Sequence, residues 1–142
     1  MVELAQQFAP EIMGPTAPQE AIVAATTSMA AVPEATWRQI MQCLVRFDMR
    51  EEWTAQVHPV CLIAGEKDNN APARTMEKMA QRMRSTRTQK SENGATYGNL
   101  VSHRCEYHCI KAAGHLVNLE QPEVCTPIIR RFLSKLTTEI HT

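Results

Sequence analysis

Apolar residues along this chain follow two different periods. In the first half, Leu4, Phe8 and Ile12 recur at helical spacing until Gly14-Pro15 interrupts them. Pro18 and Pro33 each stand where a helix would begin, a position that tolerates the missing backbone donor. After Pro33, the set Trp37, Ile40, Met41, Leu44 and Val45 repeats every three or four residues and predicts one amphipathic helix. A polar stretch over 48–56 follows. The period is then lost: Pro59-Val60-Cys61-Leu62-Ile63-Ala64 is an unbroken apolar run of strand length, as expected for a strand covered on both faces. A turn-rich cluster, Gly65 to Asn70, ends it. Pro72 opens another helix, with Met76, Met79, Ala80 and Met83 on its apolar face and Arg74, Lys78 and Arg82 on a different one. Residues 85–103 hold Ser, Thr, Asn and Gly without a period, which predicts a long loop. A second strand is expected over Cys105–Ile110, ending in Ala112-Ala113-Gly114-His115. Pro122 then starts a helix whose stripe is Cys125, Ile128, Ile129, Phe132, Leu133 and Leu136.

The second half therefore reads strand, helix, strand, helix. That alternation predicts α/β architecture with a parallel sheet and a right-handed crossover. The boundary falls between a helical segment, 1–56, and an α/β segment, 57–142. The length of 142 residues suits one domain, and 44% hydrophobic with 21% charged residues is the balance of a globular chain with a core. Fifteen basic residues against fifteen acidic ones leave no net charge, which argues against nucleic acid or an anionic membrane as partner. No apolar run reaches the roughly 20 residues that a bilayer span requires. The first residues have neither the basic flank nor the apolar stretch of a signal peptide. Five cysteines, an odd number without framework spacing, read as mostly reduced thiols, and a cytoplasmic location is expected.

Two residues stand out chemically. Asp68 follows one predicted strand and His115 follows the next. Functional groups in open α/β sheets gather outside the carboxyl ends of the strands. If the two strands are neighbours, the carboxylate and the imidazole can meet there. A carboxylate accepting from one ring nitrogen fixes the tautomer and supports the imidazolium formed when the other nitrogen takes a proton. Gly114, just before His115, permits a tight turn and close backbone approach.

The segments Pro59-Val60-Cys61-Leu62-Ile63-Ala64-Gly65-Glu66-Lys67-Asp68 and Gly114-His115-Leu116-Val117-Asn118-Leu119-Glu120-Gln121-Pro122 resemble the last two core strands of the α/β-hydrolase fold. In that family they supply the triad acid and the triad histidine. The resemblance implies Asp68 as the acid and His115 as the general base. Val32-Pro33-Glu34 through Arg46-Phe47-Asp48 is similar to the end of the helical cap in enol-lactone and carbon–carbon bond hydrolases. The implied fold is a partial α/β-hydrolase: a helical cap remnant over 1–56, then the terminal β-α-β-α part of the core. The family's Gly-x-Ser-x-Gly elbow has no counterpart, because Ser28, Ser85, Ser91, Ser102 and Ser134 lack flanking glycines at that spacing. The early core strands and the oxyanion loop are missing as well. The expected function is thus hydrolase-like action on a small ester, lactone or activated carbonyl compound, with the dyad present and the nucleophile absent. Trp37 and Phe47 are the candidate substrate-binding residues of an apolar pocket, and no cofactor or metal is implied. Two strands have unpaired edges, so a homo-oligomer or a complementary N-terminal half is expected to complete the sheet. The alternatives are a non-hydrolytic acid–base enzyme of isomerase or lyase type using His115, and a catalytically silent binding or assembly subunit.

Other clusters read more plainly. His103, Cys105, His108 and Cys109 are close in sequence, but strand alternation puts the two thiols on one face and His108 on the other, so a tetrahedral metal site is not expected. Cys61 and Cys125 read as core thiols. Six basic residues over 74–90 have no aromatic stacking partners nearby and read as a solvated face. The Met76, Met79, Met83 stripe reads as core packing.

Overall fold

The computed structural model describes residues 1–55, 58–92 and 105–140, and within these the side chains of 54, 86–92 and 138–140 are not described. The chain is mixed α/β. Four helices come first: α1 (Val2–Ile12), α2 (Gln19–Ala30), α3 (Glu34–Arg46) and α4 (Arg50–Ala55). Strand β1 (Val60–Gly65), helix α5 (Ala73–Glu92), strand β2 (Cys105–Ile110), the one-turn helix α6 (Val117–Glu120) and helix α7 (Pro122–Ile140) follow.

Helices α1 and α2 form a hairpin around Ala9, Ile12, Met13, Ala21 and Ala25. The alanines bring the two axes close together, and a single large side chain, Leu116, packs on this cluster from the second half of the molecule. Pro18 and Pro33 sit in extended conformation one residue before α2 and α3, so their carbonyls accept the first helical bonds while their missing donors cost nothing. Helix α3 has the predicted apolar stripe but no buried residue; Ile40, Met41, Leu44 and Val45 all face solvent. The polar stretch after it is not unstructured. Asp48 accepts the Arg50 backbone N–H at 3.2 Å and pairs with the Arg50 guanidinium, Glu51 and Glu52 fill the first turn, and the resulting turn of helix, α4, sets Trp53 against α5. The Trp53 indole N–H donates to the Met79 carbonyl at 3.1 Å.

Strands β1 and β2 are parallel neighbours, in register from Val60 opposite Cys105 to Gly65 opposite Ile110. Alternation sorts their side chains to two covered faces. On one, Leu62 and Cys105 pack with Ala80 and Met83 of α5, flanked by Met76, Met79 and Tyr107. On the other, Ile110, Ala113, Val117 and Cys125 pack with Ile63 and Ile128 beneath α6 and α7. The methionine stripe of α5 is therefore core, and Met83 is the largest fully buried side chain among the described residues.

The expected loop over 85–103 requires correction, since α5 continues to Glu92. The sequence of its last two turns carries no apolar period. Arg87, Gln89, Lys90 and Glu92 are straight-chain residues of good helix propensity, and no glycine or proline interrupts them before Gly94. The remainder of that loop, 93–103, lies outside the described residues. Among the described residues no helix is long and apolar enough to cross a membrane.

Candidate functional site

The parallel pairing places the ends of β1 and β2 side by side, and the two turns that leave them are stitched together. Glu66 donates its backbone N–H to the Ile110 carbonyl at 2.9 Å, and Lys67 donates to the Ala113 carbonyl at 2.8 Å. The turn after β2 is strained at Ala112, whose φ of 61° lies in the left-handed region that alanine rarely enters. Its N–H donates to a Glu66 carboxylate oxygen at 3.1 Å. Beyond it the chain passes so near its neighbours that side chains are excluded. A Cβ on Gly65 would stand 1.9 Å from the Gly114 carbonyl oxygen, and one on Gly114 would stand 2.4 Å from the Gly14 nitrogen.

Asp68 and His115 meet at this junction. The Asp68 Oδ2 and His115 Nδ1 atoms are 2.8 Å apart. The other Asp68 oxygen, Oδ1, accepts the backbone N–H groups of Asn70 at 2.8 Å and Ala71 at 2.9 Å, a local turn that fixes the carboxylate. The Asp68 side chain is 6% exposed and that of His115 is 40% exposed. Burial alone would raise the Asp68 pKa. The Ala71 N–H, the His115 imidazole and the Asn70 N–H outweigh it and hold the carboxyl below its ordinary value. Nδ1–H donation to an ionised Asp68 leaves the Nε2 lone pair free to take a proton. In that tautomer the imidazole can act as a base, with its orientation set from behind by Asp68.

The structure brings Asp68 and His115 together but leaves Trp37 and Phe47 elsewhere. Trp37 lines an apolar cavity of about 730 Å³ between α1, α2 and α3, with Leu4, Phe8, Met29 and Met41. Its indole N–H donates to the Met29 carbonyl at 3.3 Å, and a mutual Glu34–Arg38 ion pair at 2.7 Å marks the polar edge. Neither Asp68 nor His115 lines that cavity. Phe47 is 70% exposed and does not line it either.

Nucleophiles are placed far less favourably than the base. Ser28 lies in α2, Ser85 and Ser91 in α5, and Ser134 in α7, while Ser102 lies outside the described residues. The hydroxyls of Ser85 and Ser134 donate back to the carbonyls of Gln81 and Arg130 in their own helices. Burial pushes the thiols of Cys61 and Cys125 up, which disfavours the nucleophilic thiolate. Among the described residues no three His, Cys, Asp or Glu side chains gather as a metal site. Of the cluster near β2, Cys105 is buried against α5, His108 is half-buried and Cys109 is exposed, while His103 lies outside the described residues.

One buried side chain at this junction has no counterpart among the expected site residues. Glu120, buried at the end of α6, accepts the N–H groups of Gly14 at 2.8 Å, Gly114 at 2.9 Å and Leu116 at 3.2 Å. Nothing in the sequence around it, which also holds Asn118, Gln121 and Glu123, marks it as buried. Comparison with family models, with curated proteins and with solved structures returned no match for this chain.

Proposed function

We propose that this chain supplies the acid–base half of a hydrolase-type active site for a small ester, lactone or activated carbonyl compound. The observation that carries the reading is the 2.8 Å Asp68–His115 contact at the carboxyl ends of two parallel strands, with the imidazole half open to solvent. His115 Nε2 removes the proton of an attacking O–H as its oxygen bonds to the carbonyl carbon. Asp68 stabilises the resulting imidazolium. The proton then passes to the leaving oxygen as its bond to carbon breaks, and the base is regenerated. General base action of this kind contributes about 10²–10⁴-fold. The attacking oxygen is that of water, or of a hydroxyl brought by a second chain. Among the described residues each strand of the sheet has a single neighbour, so a second copy or a complementary N-terminal half has an edge to pair with.

The placement of Ser28, Ser85, Ser91 and Ser134 in helices favours a second reading, in which His115 moves a proton on carbon without any covalent intermediate. Reaction with p-nitrophenyl acetate tests the first. Nitrophenol release should depend on His115, being lost in His115→Ala, and intact-mass analysis should find no stoichiometric acyl adduct on the isolated chain. Release that is unchanged in His115→Ala refutes the hydrolase reading. A His115-dependent proton exchange on a carbon acid, without ester turnover, establishes the second reading in its place.

A further inference from the structure

Asp68 and Glu120 are the two buried carboxylates among the described residues, and the mechanism above uses only the first. Glu120 holds the peptide on either side of His115: its Oε2 accepts from Gly114 and its Oε1 from Leu116. The amide between them, that of His115 itself, donates to the Ile12 carbonyl at 2.7 Å. Three consecutive N–H groups around the imidazole are thus committed. Two go to Glu120, and one goes to the last residue of α1. Oε2 also accepts from Gly14, two residues past that carbonyl, so one side chain joins the α1–α2 connection to the His115 turn.

We infer that Glu120 is a positioning residue for His115, anchoring its turn to the α1–α2 connection so that the imidazole meets Asp68 in one orientation. The inference rests on the reading of His115 as the working base. Residues 111–116 belong to no helix or strand, so no backbone ladder fixes them. Just upstream, Ala112 is held in a left-handed conformation that would relax if its surroundings let go. The imidazole is too exposed for packing alone to hold it. Only an ionised carboxylate suits the anchor: it has acceptors on both oxygens and no donor, whereas an amide would turn N–H₂ toward at least one of the three backbone N–H groups.

The test uses the full isotope-labelled chain and reads His115 directly by NMR, with no substrate. In the wild type, the Nδ1 proton bonded to Asp68 should give a resonance that Asp68→Asn removes. In Glu120→Gln, folded by circular dichroism, that proton should exchange with solvent about tenfold faster or disappear, as expected when a hydrogen-bonded anchor is lost. Glu120→Asp, which keeps both acceptors on a shorter arm, should recover part of the protection. An unchanged resonance in folded Glu120→Gln overturns the proposal. If Glu120→Gln does not fold, the same measurement on Glu120→Asp decides it. If neither folds, Glu120 serves the fold and the proposal falls. Loss of the resonance in Glu120→Gln, when the wild-type chain shows it but turns over no ester, leaves the positioning role standing and removes only the hydrolase reading. Where turnover exists, Glu120→Gln should lower kcat and leave KM in place.

Discussion

Replacing Asp68 separates its two roles, because each of its oxygens does a different thing. Oδ1 closes the turn by accepting from Asn70 and Ala71; Oδ2 faces His115. Asp68→Ala removes all three bonds. Bonds to a charged group contribute about 1.5–3 kcal/mol each, but water replaces part of this at exposed Asn70 and half-exposed His115, which leaves about 2–3 kcal/mol of lost stability. Asp68→Asn keeps an amide oxygen for the two backbone N–H groups and should cost about 1 kcal/mol or less. Its N–H₂ then faces His115 Nδ1, which must become the acceptor. The ring proton moves to Nε2, and the base is gone although the geometry survives. A wrong tautomer of this kind lowers turnover by on the order of 10⁴. Urea unfolding measures the first pair of values, and imidazole ¹⁵N shifts identify the tautomer. The reasoning fails if Asn is as costly as Ala, or if Nε2 stays unprotonated in Asp68→Asn. A second check is the combination with His115→Ala, where either single change should remove nearly all the activity that the pair removes.

Acid should destabilise the protein. Asp68 is held low by the Ala71, His115 and Asn70 bonds against its burial, Glu66 by the Ala112 N–H, and Glu106 by Lys135, so each contributes stability above the ordinary carboxylate range that is lost as pH falls through the depressed folded values. The Tm should therefore drop below about pH 4, and Asp68→Asn should flatten that drop; a Tm independent of pH in that window contradicts it. The unpaired strand edges and the exposed stripe of α3 predict self-association, which sedimentation at micromolar concentration checks; a stable, folded monomer removes the idea.

The sequence displayed those parts of the fold that repeat. Five of the elements, α1, α3, β1, α5 and α7, announce themselves by period or by an unbroken apolar run, and the parallel pairing was expected from the strand–helix–strand–helix order. The Asp68–His115 contact was legible for a related reason, since the two residues occupy equivalent places after neighbouring strands. What escaped has physical causes. The far end of α5 has no apolar period in its sequence, so only helix propensity marks it. Helix α4 is only six residues long, and it is held by a local Asp48–Arg50 arrangement and by Trp53 rather than by amphipathicity. Helix α6 is a single turn, too short for any period to register. For α3 the stripe was read correctly, but a stripe says only which face is apolar, not what covers it.

Gly14, Gly65 and Gly114 show the deeper limit of a one-dimensional reading. Each has a sufficient local explanation: a helix break, the start of a turn, and a tight turn before a histidine. In the structure the three peptides lie against one another, and a Cβ at any of them would meet another segment's backbone within 2.5 Å. Steric need at one position is thus set by residues about fifty or a hundred places away. Glu120 belongs to the same logic, since its bond to Gly14 spans 106 residues. A buried acid is costly unless backbone donors converge on it, and those donors converge here because the glycines let the backbones approach. The His115 turn, its strained Ala112, the buried carboxylate and the glycine contacts therefore form one unit, each member making the others tolerable.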